Sequence, residues 1–448
     1  MWCKRNLTIT NPEYTKKARM HFWLGNTPAT LTLYETRGNT LVLPFGTLRN
    51  LPEGIAKEST FQSAFSIPVS VSYGGVDIPL YDYQKTAVDA LYAAKYGILQ
   101  SAAGSGKTQM GIALVKRFGK RALWLTHTLD LLRQSKARAE MYMDSDLIGT
   151  ITEGKVNIGK GITFATIQTM CKLDLAQYKD FFDVIIVDEC HRVAGTPTAM
   201  TQFYKVLNSL SARHKIGLSA TVHRSDGMIE ATYALLGHVV YTVPDEAVGD
   251  KIMKVGITPV GTGVEISREC LNSDGTLNYT KLITYLCNDN YRIAFIASWI
   301  VSEADHSCLI LSDRLEHLER LMNALPRSMR ENAVMVSGNM TTKKGKAERE
   351  KAIEDMRSGK KKYLFATYSL AKEGLDIPRL ERLFLATPKN DYAVITQSIG
   401  RIARTFDGKE DAIAYDFVDN IPYLVKSYKK RCTTYRKNGC YFRYTEGE

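Results

Sequence analysis

A glycine-rich segment of the sequence combines the residue types that bind phosphate groups. It reads Ser101-Ala102-Ala103-Gly104-Ser105-Gly106-Lys107-Thr108 and lies between an apolar run and an amphipathic stretch, as a loop between a strand and a helix does. Backbone N–H groups around Gly104, Ser105 and Gly106 can turn toward phosphate oxygens, and the helix N-terminus adds partial positive charge. Lys107 is expected to contact the β- and γ-phosphates, and the Thr108 hydroxyl to ligate Mg²⁺. The strict form of this pattern has glycine where Ser101 stands.

Two adjacent acids complete the chemistry that this loop suggests. Asp188 and Glu189 follow the apolar run 184–187, so we expect them at the carboxyl edge of a parallel sheet, where ligands of open α/β folds bind. Asp188 would hold Mg²⁺ and Glu189 would polarise an attacking water. Solvated acids at the end of a buried strand are the ordinary alternative. The phosphate loop about 80 residues upstream favours hydrolysis of a nucleoside triphosphate, with ATP as the expected cofactor.

Three polar residues near the end of the chain could act on the same phosphates. Gln397, Arg401 and Arg404 recur at i, i+4 and i+7, which predicts one face of a helix. Arg401 and Arg404 could stabilise the negative charge that develops on a γ-phosphate, an effect of about a thousandfold in rate. A basic, solvated helix face is the alternative.

The elements that must position these residues alternate between short apolar runs and amphipathic stretches. From 77 to 243, and again from 286 to 448, this alternation predicts an α/β fold of two lobes, each a parallel sheet flanked by helices. Residues 1–76 look β-rich and are expected to form a small accessory domain that could bind DNA. Residues 244–285 are rich in Pro and Gly and favour a linker or small insertion. The expected strands are 97–100, 122–126, 162–166, 184–187 and 216–219 in the first lobe, and 308–311, 333–336, 363–366, 382–386 and 412–416 in the second.

The composition describes a basic globular protein. The chain has 448 residues, a formal net charge of +12 and a pI of about 9.1. Its length predicts two or three domains, and its positive charge favours a polyanionic partner. The eight cysteines show no C-x-x-C spacing, which argues against a zinc site. The sequence shows neither a signal peptide nor an apolar run that could span a membrane, so we expect a cytoplasmic protein.

The segment Asp188-Glu189-Cys190-His191 resembles the DExH box of superfamily 2 helicases. Further segments resemble the other motifs of that superfamily in the same order: Leu80-Tyr81-Asp82-Tyr83-Gln84, Leu123-Trp124-Leu125-Thr126-His127-Thr128, Phe164-Ala165-Thr166-Ile167-Gln168, Ser219-Ala220-Thr221, Leu309-Ile310-Leu311-Ser312-Asp313, Glu373-Gly374-Leu375-Asp376-Ile377-Pro378 and Gln397-Ser398-Ile399-Gly400-Arg401-Ile402-Ala403-Arg404. The resemblance implies two tandem RecA-like domains and a nucleic-acid-dependent ATPase.

The same resemblance implies roles for single residues. Tyr81 and Gln84 would recognise adenine, and Gly374 and Asp376 would also lie at the nucleotide. Residues that would couple hydrolysis to strand movement are His191, Ser219, Ala220 and Thr221. Residues that would contact the nucleic-acid backbone are Thr128, Thr166, Ser312, Ser337, Gly338 and Thr367.

Within superfamily 2, the sequence looks most similar to the UvsW-type, RecG and XPB motors that act on branched DNA. This similarity implies a monomeric DNA helicase or translocase, moving 3′ to 5′ on forked or junction DNA in phage or bacterial replication, recombination or repair. Three alternatives stay open: an RNA helicase, a duplex-DNA translocase of a restriction or defence system that does not separate strands, and a clamp switched by ATP binding alone. Glu189 and Arg404 argue against the clamp, because a switch needs no hydrolytic groups.

A basic C-terminal stretch is interleaved with aromatic residues. It runs from Lys426 through Lys429-Lys430-Arg431 to Lys437 and includes Tyr428 and Tyr435. Cations among aromatic rings suit nucleic-acid binding. An amphipathic helix that packs its tyrosines on the second lobe is the equally acceptable alternative.

Overall fold

The computed structural model describes most of the chain and divides it into two compact units. The described residues are 1–54, 68–102, 104–193, 197–220, 222, 228–249, 252–338, 340, 342–372, 375 and 377–443. The first unit comprises Met1–Ala102 and Gly106–Ala247, and the second comprises Ala103–Ser105 and Val248–Glu448. Among the described helices, none is both long enough and apolar enough to cross a membrane.

The first unit is built on an eight-stranded sheet. Its strands in spatial order are Val239–Thr242, Gly97–Gln100, His214–Ser219, Val184–Asp188, Ala122–Thr126, Ile162–Thr166, Ile148–Thr152 and Lys155–Asn157. All neighbours run parallel except the last pair, which is antiparallel. The central strands are buried along their whole length, as apolar runs covered on both faces of a parallel sheet should be.

Helices cover this sheet, and some begin at a residue that satisfies their free N–H groups. They are Asp82–Ala94, Lys107–Phe118, Leu129–Glu140, Ile167–Met170, Pro197–Ser209 and Ile229–Leu236, followed by the single turn Asp245–Val248. Short 3-10 segments are Ser145–Leu147, Leu175–Tyr178 and Cys190–Arg192. Helix Leu129–Glu140, for example, begins after Thr128, whose hydroxyl accepts a hydrogen bond from the N–H of Leu131.

The N-terminal region contains short strands, as expected, but shares its core with the first lobe. Its strands pair as Thr8–Thr10 with Thr30–Thr32 and Glu35–Arg37 with Thr40–Val42, beside helices Trp2–Asn6 and Pro12–Arg19 and the 3-10 segment Phe45–Asn50. Buried Cys3, Leu7 and Leu33 pack against Ala231 and Ala234 of helix Ile229–Leu236. The described part of this region is therefore stabilised by the first lobe, because among residues 1–54 and 68–76 too few apolar side chains are buried for a separate core.

The second unit is built on a seven-stranded sheet in which every neighbouring pair is parallel. The spatial order is Ala333–Val336, Tyr363–Thr367, Cys308–Ser312, Arg382–Leu385, Ile413–Val418, Gly256–Gly261 and Tyr441–Phe442. Alternate residues of these strands enter different cores, with Leu309 and Leu311 in one and Cys308 and Ile310 in the other. The flanking helices are Tyr279–Asn288, Asn290–Ser302, Leu315–Ala324, Arg327–Glu331, Lys343–Arg357, Tyr368–Lys372, Tyr392–Ile402 and Pro422–Lys437, with a 3-10 turn at Arg268–Cys270.

Residues 244–285 differ from the expected linker, because they contribute strand Gly256–Gly261 to the second sheet. This strand contains Pro259, and proline cannot donate a ladder hydrogen bond. The N–H groups of Gly256 and Thr262 point toward strand Ile413–Val418, where they donate to Ala412 and Val418. By alternation, position 259 points to the opposite side, where the neighbouring strand Tyr441–Phe442 pairs only with 256 and 257. The missing N–H of proline therefore breaks no pairing.

The basic C-terminal stretch forms helix Pro422–Lys437, and part of it packs against the second sheet. Arg431 is 2% exposed, and its Nε and Nη2 donate to the two carboxylate oxygens of Asp416 at 2.8 Å each. The hydroxyl of the fully buried Tyr435 donates to Asp416 at 2.6 Å. Lys429 and Lys430 remain exposed. Arg431 is thus a packing residue, and a nucleic-acid contact of this helix would have to come from its exposed cations, such as Lys429, Lys430 and Arg436.

Replacing Arg431 with alanine is expected to lower the free energy of unfolding by about 3–5 kcal/mol, because Asp416 would remain buried without a compensating charge. Denaturant unfolding measures this effect. The matched control replaces the neighbouring Lys429 and Lys430 with alanine, and exposed sites of this kind change stability by about 0.5 kcal/mol or less. Equal stability of the two variants would contradict the packing role.

Candidate active site

The phosphate loop has the backbone that the glycine pattern predicts. Gly104 and Gly106 have φ values of +87° and +83°, which side-chain-bearing residues rarely adopt. A Cβ atom at Gly106 would lie 2.4 Å from Nε2 of Gln84, so any other residue there would force the Gln84 side chain to move. The ammonium group of Lys107 donates to the carbonyls of Ser101 and Ala102 at 3.2 and 3.1 Å. The ammonium group of Lys107, at the start of helix Lys107–Phe118, is thus held by two carbonyls of the loop.

The two acids lie at the carboxyl end of strand Val184–Asp188. Asp188 is 5% exposed, and its carboxylate accepts hydrogen bonds from the N–H of Glu189 at 3.0 Å and from Oγ of Ser135 at 3.2 Å. Burial and the neighbouring Glu189 raise the pKa of Asp188 to about 7, while the positive charge of Lys107 opposes this rise. A second cation at Asp188 would therefore favour its ionised form. Ser135 is a site residue that the sequence motifs did not indicate.

Glu189 has an unusual backbone and faces a histidine. Its φ of +49° lies in the left-handed region, which non-glycine residues seldom occupy outside functional or strained sites. Its Oε2 lies 3.3 Å from Nδ1 of His191, and the same Nδ1 lies 3.0 Å from Oγ of Ser219. The carbonyl of Ser219 in turn accepts the N–H of Ser101 at 3.0 Å. Lys107, Asp188, Glu189, His191 and Ser219 therefore form one connected set in the first unit.

The two residues proposed to recognise adenine differ in burial, and the remaining coupling residues follow a strand of the same sheet. Gln84 is buried beside Gly106, and its Oε1 accepts the N–H of Tyr81 at 3.0 Å. Tyr81 is half exposed and stacks on Tyr83, with ring centroids 5.8 Å apart. Ala220 follows strand His214–Ser219, but Thr221 lies outside the described residues.

Two residues proposed to contact nucleic acid lie at the carboxyl ends of adjacent strands in the first unit. Thr128 follows strand Ala122–Thr126 and caps a helix, while Thr166 ends strand Ile162–Thr166 and exchanges a hydrogen bond of 2.9 Å with Thr169. Nε2 of Gln168 donates to the carbonyl of His127 at 2.9 Å and so joins the two loops. These loops lie at the same sheet edge as Asp188.

Gln397 and Arg401 lie on helix Tyr392–Ile402, but Arg404 does not. The prediction that all three share one helical face is wrong for Arg404, because the helix ends at Ile402. Beyond that point the chain pairs with another segment: the carbonyl of Ala403 accepts the N–H of Met253 at 2.7 Å, and Arg404 forms an antiparallel bridge with Ile252.

The two helical residues of this group are held differently. Gln397 is 6% exposed. Nη1 of Arg401 donates to the carbonyl of Leu375 at 3.0 Å, which connects the helix to the preceding motif. Gly374 and Asp376 of that motif lie outside the described residues.

The residues of the second unit that were proposed to contact nucleic acid lie near the ends of three neighbouring strands. Ser312 is fully buried, and its hydroxyl bonds to Nδ1 of His317 at 3.0 Å and accepts the N–H of Arg314 at 3.1 Å. It therefore shapes its loop and does not reach the surface. Thr367 shares a hydrogen bond of 2.9 Å with Ser369, and Ser337 is nearly buried next to Gly338.

Two family models match most of the two lobes. Residues 77–224 match the family described as the res subunit of type III restriction enzymes, and residues 291–406 match the conserved C-terminal domain of helicases. The matches cover the phosphate loop, the paired acids and the group from Gln397 to Arg404.

Three curated relatives are similar to the chain over about three quarters of its length. L396 of Acanthamoeba polyphaga mimivirus, named as an ATP-dependent RNA helicase, is 29% identical over 72% of this chain. Helicase D10 of Escherichia phage T5 is 26% identical over 76% of the chain, and the DNA 3′-5′ translocase XPB2 of Sulfurisphaera tokodaii is 25% identical over 74%. The aligned parts span 60%, 72% and 80% of these relatives respectively.

Two solved structures share the fold. A fragment named as the HsdR subunit of a type I restriction enzyme from Vibrio vulnificus YJ016 has a TM-score of 0.60 at 19% identity, covering 83% of this chain and 69% of that one. Dbp5 of S. cerevisiae, bound to RNA and ADP BeF3, has a TM-score of 0.56 at 18% identity, covering 82% and 90%. Together with the family matches, these findings confirm two tandem RecA-like domains, and the chain belongs to the superfamily 2 helicases, which are nucleic-acid-dependent ATPases.

Proposed function

We propose that this helicase hydrolyses ATP with Mg²⁺ to move 3′ to 5′ along DNA, and that it unwinds or branch-migrates forked or junction DNA. The observation that supports the hydrolytic part most directly is the connected set of Lys107, Asp188, Glu189, His191 and Ser219. The DNA part is supported by the similarity to XPB2, whose name describes a DNA 3′-5′ translocase, and by the net charge of +12.

In the proposed reaction, the phosphate loop binds the substrate and the acids prepare the attack. Lys107 and the backbone N–H groups of the loop neutralise the phosphate oxygens. Thr108 and Asp188 would hold Mg²⁺, since carboxylate and hydroxyl oxygens are suitable ligands and a cation would counter the raised pKa of Asp188. The metal ion would neutralise charge on the phosphates. Glu189 orients the attacking water and accepts its proton.

The hydrogen bonds around Glu189 suggest how hydrolysis is linked to movement. Glu189 and Ser219 both lie close to Nδ1 of His191, and the backbone of Ser219 bonds to Ser101 at the start of the phosphate loop. A change of charge or position at Glu189 would therefore alter the end of strand His214–Ser219. Gln397, Arg401 and Arg404 are proposed to stabilise the charge that develops on the γ-phosphate.

Two other substrates have specific support. An RNA substrate is favoured by the similarity to L396, which carries the name of an RNA helicase. A duplex-DNA translocase that never separates strands is favoured by the match to the restriction-enzyme family over residues 77–224. We propose a monomer on forked DNA ahead of both, because XPB2, which is similar over 74% of this chain, is named as a DNA 3′-5′ translocase.

Nucleic-acid-stimulated ATPase activity distinguishes these substrates. Purified full-length protein is assayed with single-stranded, duplex, forked and four-way DNA and with RNA of matched sequence and length. We expect the highest kcat with forked or four-way DNA, and displacement of a strand whose partner carries a 3′ tail. Stimulation by RNA alone would refute the DNA proposal, and equal stimulation by plain duplex without strand displacement would support the duplex translocase. The Glu189→Gln variant serves as the inactive control.

A further inference from the structure

Arg404 lies outside its helix, so something other than helical geometry must hold it in place. The backbone on one side is tied to Ile252 and Met253 by the bridge described above. On the other side the chain turns back at Phe406–Lys409, where the N–H of Lys409 donates to the carbonyl of Phe406 at 3.1 Å and Gly408 has a φ of +77°. This turn places the side chain of Lys409 against the end of the helix.

The ammonium group of Lys409 contacts three backbone carbonyls at this point. It donates to the carbonyl of Ile402, to that of Arg404 at 2.8 Å and to that of Leu380 at 2.6 Å. An ammonium group has three N–H donors, so each acceptor has one donor. The three carbonyls come from the last helical residue, from the arginine itself and from the segment that follows Ile377. Lys409 therefore joins the end of the helix, the backbone of Arg404 and the segment at Leu380.

The charge of Lys409 persists at neutral pH despite burial. Burial lowers its pKa to about 8, with Glu381 and Asp411 acting against this change and Arg382 and Arg404 adding to it. Below that pH the group keeps all three donors, whereas a neutral amine has two. A partly buried lysine retained so close to two arginines costs stability through like-charge repulsion. The three hydrogen bonds from Lys409 to backbone carbonyls offset this cost.

We propose that Lys409 is a positioning residue, which holds the backbone at Arg404 so that the guanidinium group meets the developing charge on the γ-phosphate. This inference rests on the role of Arg404 under the proposed function. Lys409 does not itself contact substrate. Its contribution to the rate passes entirely through Arg404, and this dependence can be measured.

A double-mutant cycle with Lys409→Met and Arg404→Ala tests the proposal. Methionine keeps the aliphatic stem and removes all three donors. We expect Lys409→Met to lower kcat of the stimulated ATPase by about 10- to 100-fold, the scale of a misplacement of roughly 1 Å, and to leave KM for ATP nearly unchanged. In the Arg404→Ala background the same substitution is expected to change kcat little, because the group that it positions is already gone.

A second buried lysine provides the matched control. Lys215 in the first unit also donates to two backbone carbonyls, those of Leu207 and Leu210, at the end of a helix. Lys215→Met removes the same type of bonds without an arginine to position, so any effect on kcat is expected to be equal in both backgrounds. Where Lys409→Met does not fold, Lys409→Gln, which keeps an amide donor, enters the same cycle.

The outcomes separate this inference from the proposed function. Equal losses from Lys409→Met with and without Arg404 would overturn the positioning role and leave the ATPase proposal intact. Normal turnover of Arg404→Ala would overturn both the role of Arg404 and that of Lys409. A loss that disappears in the Arg404→Ala background, with KM preserved, supports the inference.

Discussion

Glu189→Gln is expected to bind ATP and to lower kcat by about 10²- to 10⁴-fold, the usual contribution of a general base. Glutamine has the same shape, but its amide has no negative charge and cannot accept the proton of the attacking water. The lysine and the backbone N–H groups that bind phosphates are unaffected by this change. Single-turnover hydrolysis and a direct measurement of ATP binding together test the expectation.

Asp188→Asn is the informative comparison for this variant. Asp188 lies one residue earlier, is nearly buried and is proposed to hold the metal ion, so its loss should weaken binding of Mg²⁺-ATP as well as turnover. Glu189→Gln should instead leave binding intact and retain any ATP-dependent grip on DNA. Turnover of Glu189→Gln at the normal rate would show that another group activates the water.

The elements with purely local signals could be predicted from the sequence. Strands Gly97–Gln100, Ala122–Thr126 and Ile162–Thr166 were predicted at the bounds that the structure has, since apolar runs buried on both faces differ sharply from their flanking loops. The phosphate loop was also predictable, because its glycines, lysine and threonine lie within eight consecutive residues. In such segments the neighbours in sequence are also the neighbours that matter in space.

Features that depend on distant partners could not be predicted in this way. Strand Gly256–Gly261 contains a proline, and only its place in the sheet explains why the proline is tolerated. Ser135 contacts Asp188 from a position 53 residues away, and nothing in its local sequence indicates this. The charge of Arg431 suggested a nucleic-acid contact, whereas Asp416 on a buried strand binds it inside the protein. In each case the residue's role depends on a partner that lies far away in the sequence.

The position of Arg404 also depends on residues that are distant in the sequence, and it leads to the second prediction with a large expected effect. An i, i+7 spacing predicts a shared helical face only while the helix continues, and here pairing with Ile252 and Met253 replaces the last turn. The backbone of Arg404 is nevertheless well defined, because the bridge and Lys409 hold it from two sides. A fixed backbone removes part of the freedom that Arg404 would otherwise lose when its guanidinium group binds a phosphate, which suits a charge-stabilising residue.

Arg404→Ala is therefore expected to lower kcat of the nucleic-acid-stimulated ATPase by about a thousandfold while the protein stays folded. Arg404→Lys should not restore the rate, because an ammonium group cannot reproduce the planar, bidentate contact of a guanidinium group with phosphate. Steady-state ATPase assays and thermal unfolding of the same samples provide both measurements.

Arg401→Ala separates this effect from simple damage to the helix. Arg401 bonds to the carbonyl of Leu375 and thereby connects two motifs, so its loss should lower stability as well as kcat. A loss of rate in Arg404→Ala that persists well below the unfolding temperature of the variant would identify a residue that acts on the phosphate. The same comparison for Arg401→Ala measures how much of its loss of rate comes from weakened folding. If Arg404→Ala kept its kcat, the γ-phosphate would have to be stabilised by Arg401 and Gln397, both of which the helix does hold on one face.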